Sequence, residues 1–263
     1  MDDGVKYSVI IPCHNSTKTV SKAIFSAVSS DTEVICVDDF STDGTLEMLL
    51  SLQKDGLVRV VSLKENHGPG YAINRGIEQA VADLIFVLGH DNFMPHGLIQ
   101  TLDRARVEAG ADIAAPAEIH YFGGRKKMRT NPHKDGVCDI GTYVKTRKNH
   151  GSCGHYLFTK ESWLKAGGYP EELGNEGWVF GLRQLAAGCK AIIVPGTHYF
   201  HRLSKNSLWK KLERRGLNDK AIAKALKDCS HMLEKNNGTI RSTQTDQRRE
   251  GRTDTQENRV LPA

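Results

Sequence analysis

The stretch VICVDDFSTDGT, Val34 to Thr45, decides how this chain folds. Val34, Ile35, Cys36 and Val37 run without alternation, as in a parallel strand buried on both faces. Two adjacent carboxylates, Asp38 and Asp39, then stand at the strand end, before a polar turn and a helix start. Open α/β sheets take ligands beyond the carboxyl ends of such strands. Two acids there can bond the ring N–H of a base, ribose hydroxyls or a metal-bound diphosphate. Ordinary helix capping by Ser41, Thr42 and Asp43 accounts for the turn, but it does not require the two acids in front of it.

The pattern repeats on either side. Upstream, YSVIIPCHN gives an apolar strand from Tyr7 to Ile11, broken at Pro12, with Asn15 in the loop beyond. Val20, Ala23, Ile24, Ala27 and Val28 follow at helical spacing. Downstream come a strand at Leu57 to Leu63, the loop ENHGPG and a helix from Tyr71 to Ala82. The strand DLIFVL then breaks at Gly89-His90-Asp91-Asn92. Strands alternating with helices predict an α/β fold with a mainly parallel, Rossmann-like sheet flanked by helices.

Composition narrows the class. Hydrophobic residues make up 39% and charged residues 25% of 263, ordinary for a globular domain with an appendage. No apolar run approaches the ~20 residues that span a bilayer. MDDGVKYSV lacks the basic, apolar and small-residue order of a secretory signal, so a cytoplasmic location is expected. The six cysteines form no CxxC pair, which fits reduced thiols. His150, Cys153 and His155 cluster, but without an evident fourth ligand they read as part of a glycine-rich loop.

The net charge of +5 lies entirely in Leu203 to Asn237, which holds nine Lys/Arg and four Asp/Glu. Two helical patterns occur there, SLWKKLERRG and NDKAIAKALKDCSHMLEK. They present a basic face suited to anionic lipid or a charged glycan, or they cap the main domain with a solvated basic side. Nothing marks a nucleic-acid partner. Beyond Gly238 the chain is polar, charged and expected to be disordered.

Several of these stretches resemble family-2 glycosyltransferases of the GT-A fold: SVIIPCHN, VDDFSTDGT, NHGPGYAINRGIEQA (Asn66 to Ala80), LGHDNFMPHGL (Leu88 to Leu98), GGYPEELGNEGWVFGLRQLAAG and HYFHR (His198 to Arg202). The resemblance covers Val5 to Arg202. It implies a catalytic domain over 1–202, with a nucleotide-sugar half to 92 and an acceptor half from 93 to 202. A basic helical extension at 203–237 and a tail at 238–263 would follow.

The resemblance also implies roles. Asp39 matches the base-contacting acid and Asp38 a second nucleotide-side carboxylate. Pro12 and Asn15 lie in the loop over the nucleotide, and Asn66, Gly68 and Asn74 in the segment flanking the diphosphate. Asp91 matches the surviving acid of a metal motif whose earlier position is here Gly89, and His201 is a second metal contact. Mn²⁺ or Mg²⁺ is the implied cofactor. Arg202 would pair with phosphate. The family's catalytic aspartate falls on Gly177, leaving Glu176 as base or as a helix-positioning residue. Trp178 stacks on sugar or packs in the core.

The implied activity is inverting transfer from a nucleotide-sugar, UDP-linked by expectation, to a hydroxyl of a glycan or glycolipid. A degenerate domain that binds without turnover is the alternative raised by Gly89 and Gly177. A nucleotidyltransferase would need a glycine- and basic-rich phosphate loop after the first strand, which SVIIPCHN does not supply.

Overall fold

The computed structural model describes residues 4–123, 136–139, 154–204 and 207–229. His150, Cys153 and the tail after Gly238 lie outside them. The first half alternates as expected: β1 (Tyr7–Cys13), α1 (Val20–Ala27), β2 (Thr32–Asp38), α2 (Thr45–Lys54), β3 (Arg59–Ser62), α3 (Pro69–Gln79) and β4 (Leu84–Val87). The second half adds α4 (Leu98–Glu108), β5 (Ile113–Phe122), β6 (Gly136–Cys138), β7 (Leu157–Thr159), α5 (Lys160–Lys165), α6 (Glu176–Ala186), β8 (Ala191–Arg202) and α7 (Leu208–Arg214). A last helix, α8, occupies 217–229.

The strands form one sheet in the order β3-β2-β1-β4-β7-β5-β8-β6. β3, β2, β1 and β4 are parallel, as are β5 and β8. β7 runs antiparallel between β4 and β5, and β6 antiparallel on β8. Successive side chains of β1 serve opposite faces. Val9 and Ile11 join α1, α2 and α4 in one core. Ile10 joins α3, α6 and α8 in the other. Burial on both faces is why Val34 to Val37 shows no alternation.

Gly76 sets how close α3 comes. A Cβ there would stand 2.5 Å from Ile10 Cγ2 and 2.9 Å from Val37 Cγ2, so only glycine fits without a shift. Gly70 does the same at the helix start, where a Cβ would lie 1.9 Å from the Pro170 carbonyl oxygen.

Two strands outrun their sequence boundaries. β1 continues through Pro12 to Cys13, paired with Asp38 of β2, because pairing to β4 has already ended at Ile10. β8 continues past Pro195 and Gly196, where the sequence signals a stop. The ladder to β5 slips between Pro116 and Glu118. Thr197 spans that irregularity, its hydroxyl donating to Val194 O at 2.6 Å and accepting from Ala117 N at 3.4 Å. HYFHR therefore lies within β8.

The basic C-terminal segment is docked rather than free. Ala225 and Cys229 of α8 are buried in the α3–α6 core, and Lys224 pairs with Glu172 at 2.7 Å. Its apolar face covers the domain and its lysines face water, the arrangement of a capping helix. The five described cysteines are buried and free. Among the described residues no helix is long and apolar enough to cross a membrane.

Gly76→Val is expected to lower stability by about 2–3 kcal/mol through overpacking. Urea denaturation reads this as a lower midpoint at unchanged slope.

Candidate functional site

The candidate site lies at the carboxyl ends of β1, β2 and β4. Asp39, one residue beyond β2, is buried. Its Oδ1 accepts His67 N–H and its Oδ2 accepts Gly68 N–H, each at 2.8 Å. A carboxylate thus occupies the positive end of α3. The Gly68 amide, placed by sequence beside a diphosphate, is already committed to Asp39. Gly68 has φ of +91°, with Leu173 close over it. Asp38 is also buried; its Oδ2 accepts Ser41 N–H at 3.1 Å, and its Oδ1 has no hydrogen-bond partner among the described residues.

The rim is built from side chains of three loops. His14 Nδ1–H donates to Asp39 O at 2.8 Å. Asn15, at φ +50°, accepts Thr42 N–H on Oδ1 at 2.8 Å and so joins the loop after β1, which begins beyond Pro12, to the loop after β2. The Asn66 amide nitrogen lies 3.1 Å from the His14 ring nitrogens. Phe40, at φ +60°, leaves its ring half exposed beside them. Asp43 accepts Thr45 N–H at 3.1 Å and Thr17 Oγ1–H at 2.9 Å, but the N-cap position of α2 is Gly44, which carries no side-chain cap, so the expected capping by Ser41, Thr42 and Asp43 is replaced by this turn.

Asp91 and His201 come from opposite halves of the chain, and Asn92 brings them together. Its Oδ1 accepts Arg202 N–H at 2.9 Å, and its Nδ2 donates to His155 Nε2 at 2.6 Å. Phe93 and Phe200 exchange backbone hydrogen bonds of 3.1 and 2.8 Å, and their rings stack. Burial holds His201 below the ordinary imidazole range, opposed by the Asp91 charge. His90, whose Nδ1 lies 3.0 Å from Thr19 Oγ1, is likewise lowered by burial, with Asp91 opposing and His14 and Arg202 adding to the shift. His155 donates Nδ1–H to Val87 O at 2.8 Å, and burial, reinforced by His201, pushes it down to about 3.

Gly89 now has a physical account. A Cβ there would meet Asn92 Nδ2 at 2.7 Å and His155 Cε1 at 3.4 Å. The Asn92–His155 pair fills the space an acid would need. Hard divalent cations are often held by one or two carboxylates completed by substrate phosphates. Asp91 with His201 meets that minimum, although no group of three or more His, Cys, Asp or Glu converges among the described residues. The donor set suits a cation carried in with a diphosphate.

On the acceptor side, Glu176 opens α6 and its Oε1 accepts Gly174 N–H at 3.1 Å. That bond ties the carboxylate to the preceding loop and leaves its other oxygen outside the contact. Gly177 is unlike Gly89: among the described residues the nearest atoms to an added Cβ are 3.7 Å away, so a Cβ fits in ordinary contact. Trp178 packs against the α3–α6 core. Asn74, placed by sequence near a diphosphate, instead clamps the Gly168–Tyr169 turn. It donates Nδ2–H to Tyr169 O at 3.0 Å and accepts Tyr169 N–H at 2.9 Å and Trp163 Nε1–H at 3.0 Å.

Residues 8–168 match the family described as glycosyl transferase family 2. The chain belongs to that family. It is 38% identical over 109 residues to the succinoglycan biosynthesis protein ExoO of Rhizobium meliloti, covering 40% of this chain and 31% of that protein. It is 32% identical over 127 residues to the GalNAc(5)-diNAcBac-PP-undecaprenol beta-1,3-glucosyltransferase of Campylobacter jejuni, covering 46% and 41%. It therefore spans less than half the length of these curated relatives. S. aureus TarS in complex with UDP-GlcNAc superposes with a TM-score of 0.66 at 19% identity, over 78% of this chain and 60% of that one. A Pyrobaculum calidifontis mannosyltransferase with GDP-Man and Mn²⁺ gives 0.62 at 16%, over 84% and 64%. The fold is GT-A, as the motifs imply.

Sequence reasoning missed His14 and Asn92 as organising residues, though both sit inside recognised motifs, because their partners are distant in sequence. Asn92→Ala is expected to cost about 1–3 kcal/mol by leaving the buried His155 ring nitrogen and the Arg202 N–H without their partner. Chemical denaturation gives the loss directly.

Proposed function

We propose that this domain transfers a sugar from a nucleotide-sugar, UDP-linked, to a hydroxyl of a glycan or glycolipid with inversion at the anomeric carbon. The observation that carries the reading is the convergence of Asp38, Asp39, Asp91, His201 and Arg202 at one end of the parallel sheet, where such folds take ligands. Pro12, Asn15, Asn66 and the two acids at the end of β2, Asp38 and Asp39, form the nucleotide side. Asp39 retains lone pairs for a base N–H, since two amides use only half of a carboxylate's capacity. Arg202 is the phosphate partner. A Mn²⁺ or Mg²⁺ ion held by Asp91 and His201 would neutralise charge on the leaving diphosphate.

In this scheme Glu176 removes the acceptor proton. The freed oxygen forms the new bond to the anomeric carbon, and the departing diphosphate keeps the electron pair of the old one. General-base help of this kind contributes ~10²–10⁴-fold. The anchored Glu176 and the missing side chain at Gly177 favour a second reading, nucleotide or glycan binding without turnover. We place the reaction on the cytoplasmic side. The exposed Leu208 and Trp209, beside Lys210 and Lys211, offer a peripheral contact to anionic membrane.

Wild-type protein offered UDP-, GDP- and dTDP-sugars with Mn²⁺ should release free nucleotide when acceptor is present. Release from none of them, with calorimetry still detecting nucleotide, selects the binding-only reading. Asp91→Asn should abolish metal-linked donor binding; full activity of that variant in excess chelator would contradict the metal assignment.

Gly177→Asp should fold normally, because its Cβ has room, and should raise turnover by ~10-fold or more if a base is limiting. Glu176→Gln should lower turnover ~10²-fold while sparing donor affinity. Unchanged turnover in Glu176→Gln would leave that residue only its observed bond to Gly174.

A further inference from the structure

The geometry points to a second sugar-binding site, outside the transfer centre, in the cleft between α3 and α5. A cavity of about 230 Å³ opens there, lined by Asn74, Arg75, Glu78, Trp163, Leu164 and Glu171. It is below the ~300–1,000 Å³ of pockets for drug-sized ligands, a size suited to a single pyranose ring. The inference rests on the transferase reading only in calling the bound sugar part of the acceptor.

The lining matches a pyranose in chemistry. Trp163 is partly buried and Leu164 is 65% exposed, giving an apolar wall for a sugar's C–H face. Opposite it stand polar groups that match ring hydroxyls, each of which donates and accepts. Glu78 and Arg75 are ion-paired at the rim, with acceptor and donor capacity beyond that one contact. Arg75 Nε–H is buried and has no partner among the described residues. Glu171 meets Asn74 Nδ2 at 3.3 Å through one oxygen. Two carboxylates against one guanidinium disfavour phosphate or another anion, so the ligand class is a neutral sugar rather than a nucleotide.

The wall is also preorganised. Trp163 Nε1–H is held by Asn74 Oδ1, and the same amide is fixed to both sides of the Tyr169 peptide. Binding therefore need not order the indole, which lowers its entropic cost. Asn74, Arg75 and Glu78 lie six to ten residues beyond Gly68 in sequence, roughly 9–15 Å along the helix at 1.5 Å per residue. Glu171 belongs to the loop that leads to Glu176. A glycan whose reacting end sits at Glu176 would run past Glu171 and place an inner sugar in the cleft. The domain would thereby favour extended acceptors over monosaccharides.

The three tryptophans, Trp163, Trp178 and Trp209, make the site readable by ¹⁵N-indole NMR of the full chain, with Trp163→Phe to assign the resonance. Probes are neutral tetrasaccharides of β-1,3-linked glucose and β-1,6-linked N-acetylglucosamine, without donor. The expected result is a saturable shift of the Trp163 indole with at least one of them, the exposed Trp209 staying still. Arg75→Ala/Glu78→Ala should weaken that binding about 10-fold while UDP-sugar binding, measured by calorimetry on the same samples, is unchanged. A Trp163 resonance unmoved by every probe, or a shift equal in the double variant, would overturn the subsite. Tetrasaccharide binding that persists in a protein binding no nucleotide-sugar would instead support the subsite and overturn the transfer reading.

Discussion

The arrangement depends first on the Asp39 carboxylate, which closes the gap between β2 and α3. Charge-assisted hydrogen bonds to backbone amides are shorter and stronger than neutral ones, and here both oxygens are engaged at the positive end of an eleven-residue helix. The loop before α3 would otherwise present unpaired N–H groups at a helix start. With α3 held at this angle, Gly76 lies on Ile10 and Val37, and Gly70 comes under Pro170. The loop at 171–175 follows. Gly174 in turn packs on Leu217 and Ala221 of α8. One buried acid thus fixes the rim loops, the 171–175 loop and the seat of α8.

A second constraint joins the two halves. Asn92 satisfies His155 with its amide and Arg202 N–H with its carbonyl, and His155 is fixed as the neutral Nδ1–H tautomer by Val87 O on its other side. This polar knot occupies the volume next to Gly89. A structural bond network thus stands where the resemblance implied an acid. At Gly177 the nearest atoms among the described residues, those of Gly154, stand 3.7 Å or more from an added Cβ. The two glycines look alike in sequence and differ in what surrounds them: one is obligatory and the other leaves space.

Much of the fold was legible because it is local. The unbroken apolar run Val34 to Val37, the helical spacing of Val20 to Ala27 and the loop glycines each report their own element. The four parallel strands follow from that alternation. The continuation of β8 through Pro195 and Gly196 was hidden, because Thr197 spans the irregularity through bonds to Val194 and Ala117 that no period in the sequence records. The site was legible in its residues but not in their duties. Asp39 was read as a base contact and Glu176 as a base or a helix-positioning residue, and both carry backbone amides. Asn74 was read beside a diphosphate, and its bonds to Trp163 and Tyr169, some ninety residues away, left no trace in the local pattern. The basic helices were ambiguous until Ala225 and Cys229 were found in the core.

Asp39 braces α3 before it meets any ligand. The most direct test is urea denaturation of Asp39→Asn without nucleotide, since asparagine keeps the shape but turns a donor toward one of the two amides. A loss of about 1.5–3 kcal/mol at unchanged slope is expected. Stability equal to that of the wild type would contradict it and leave Asp39 a ligand contact alone.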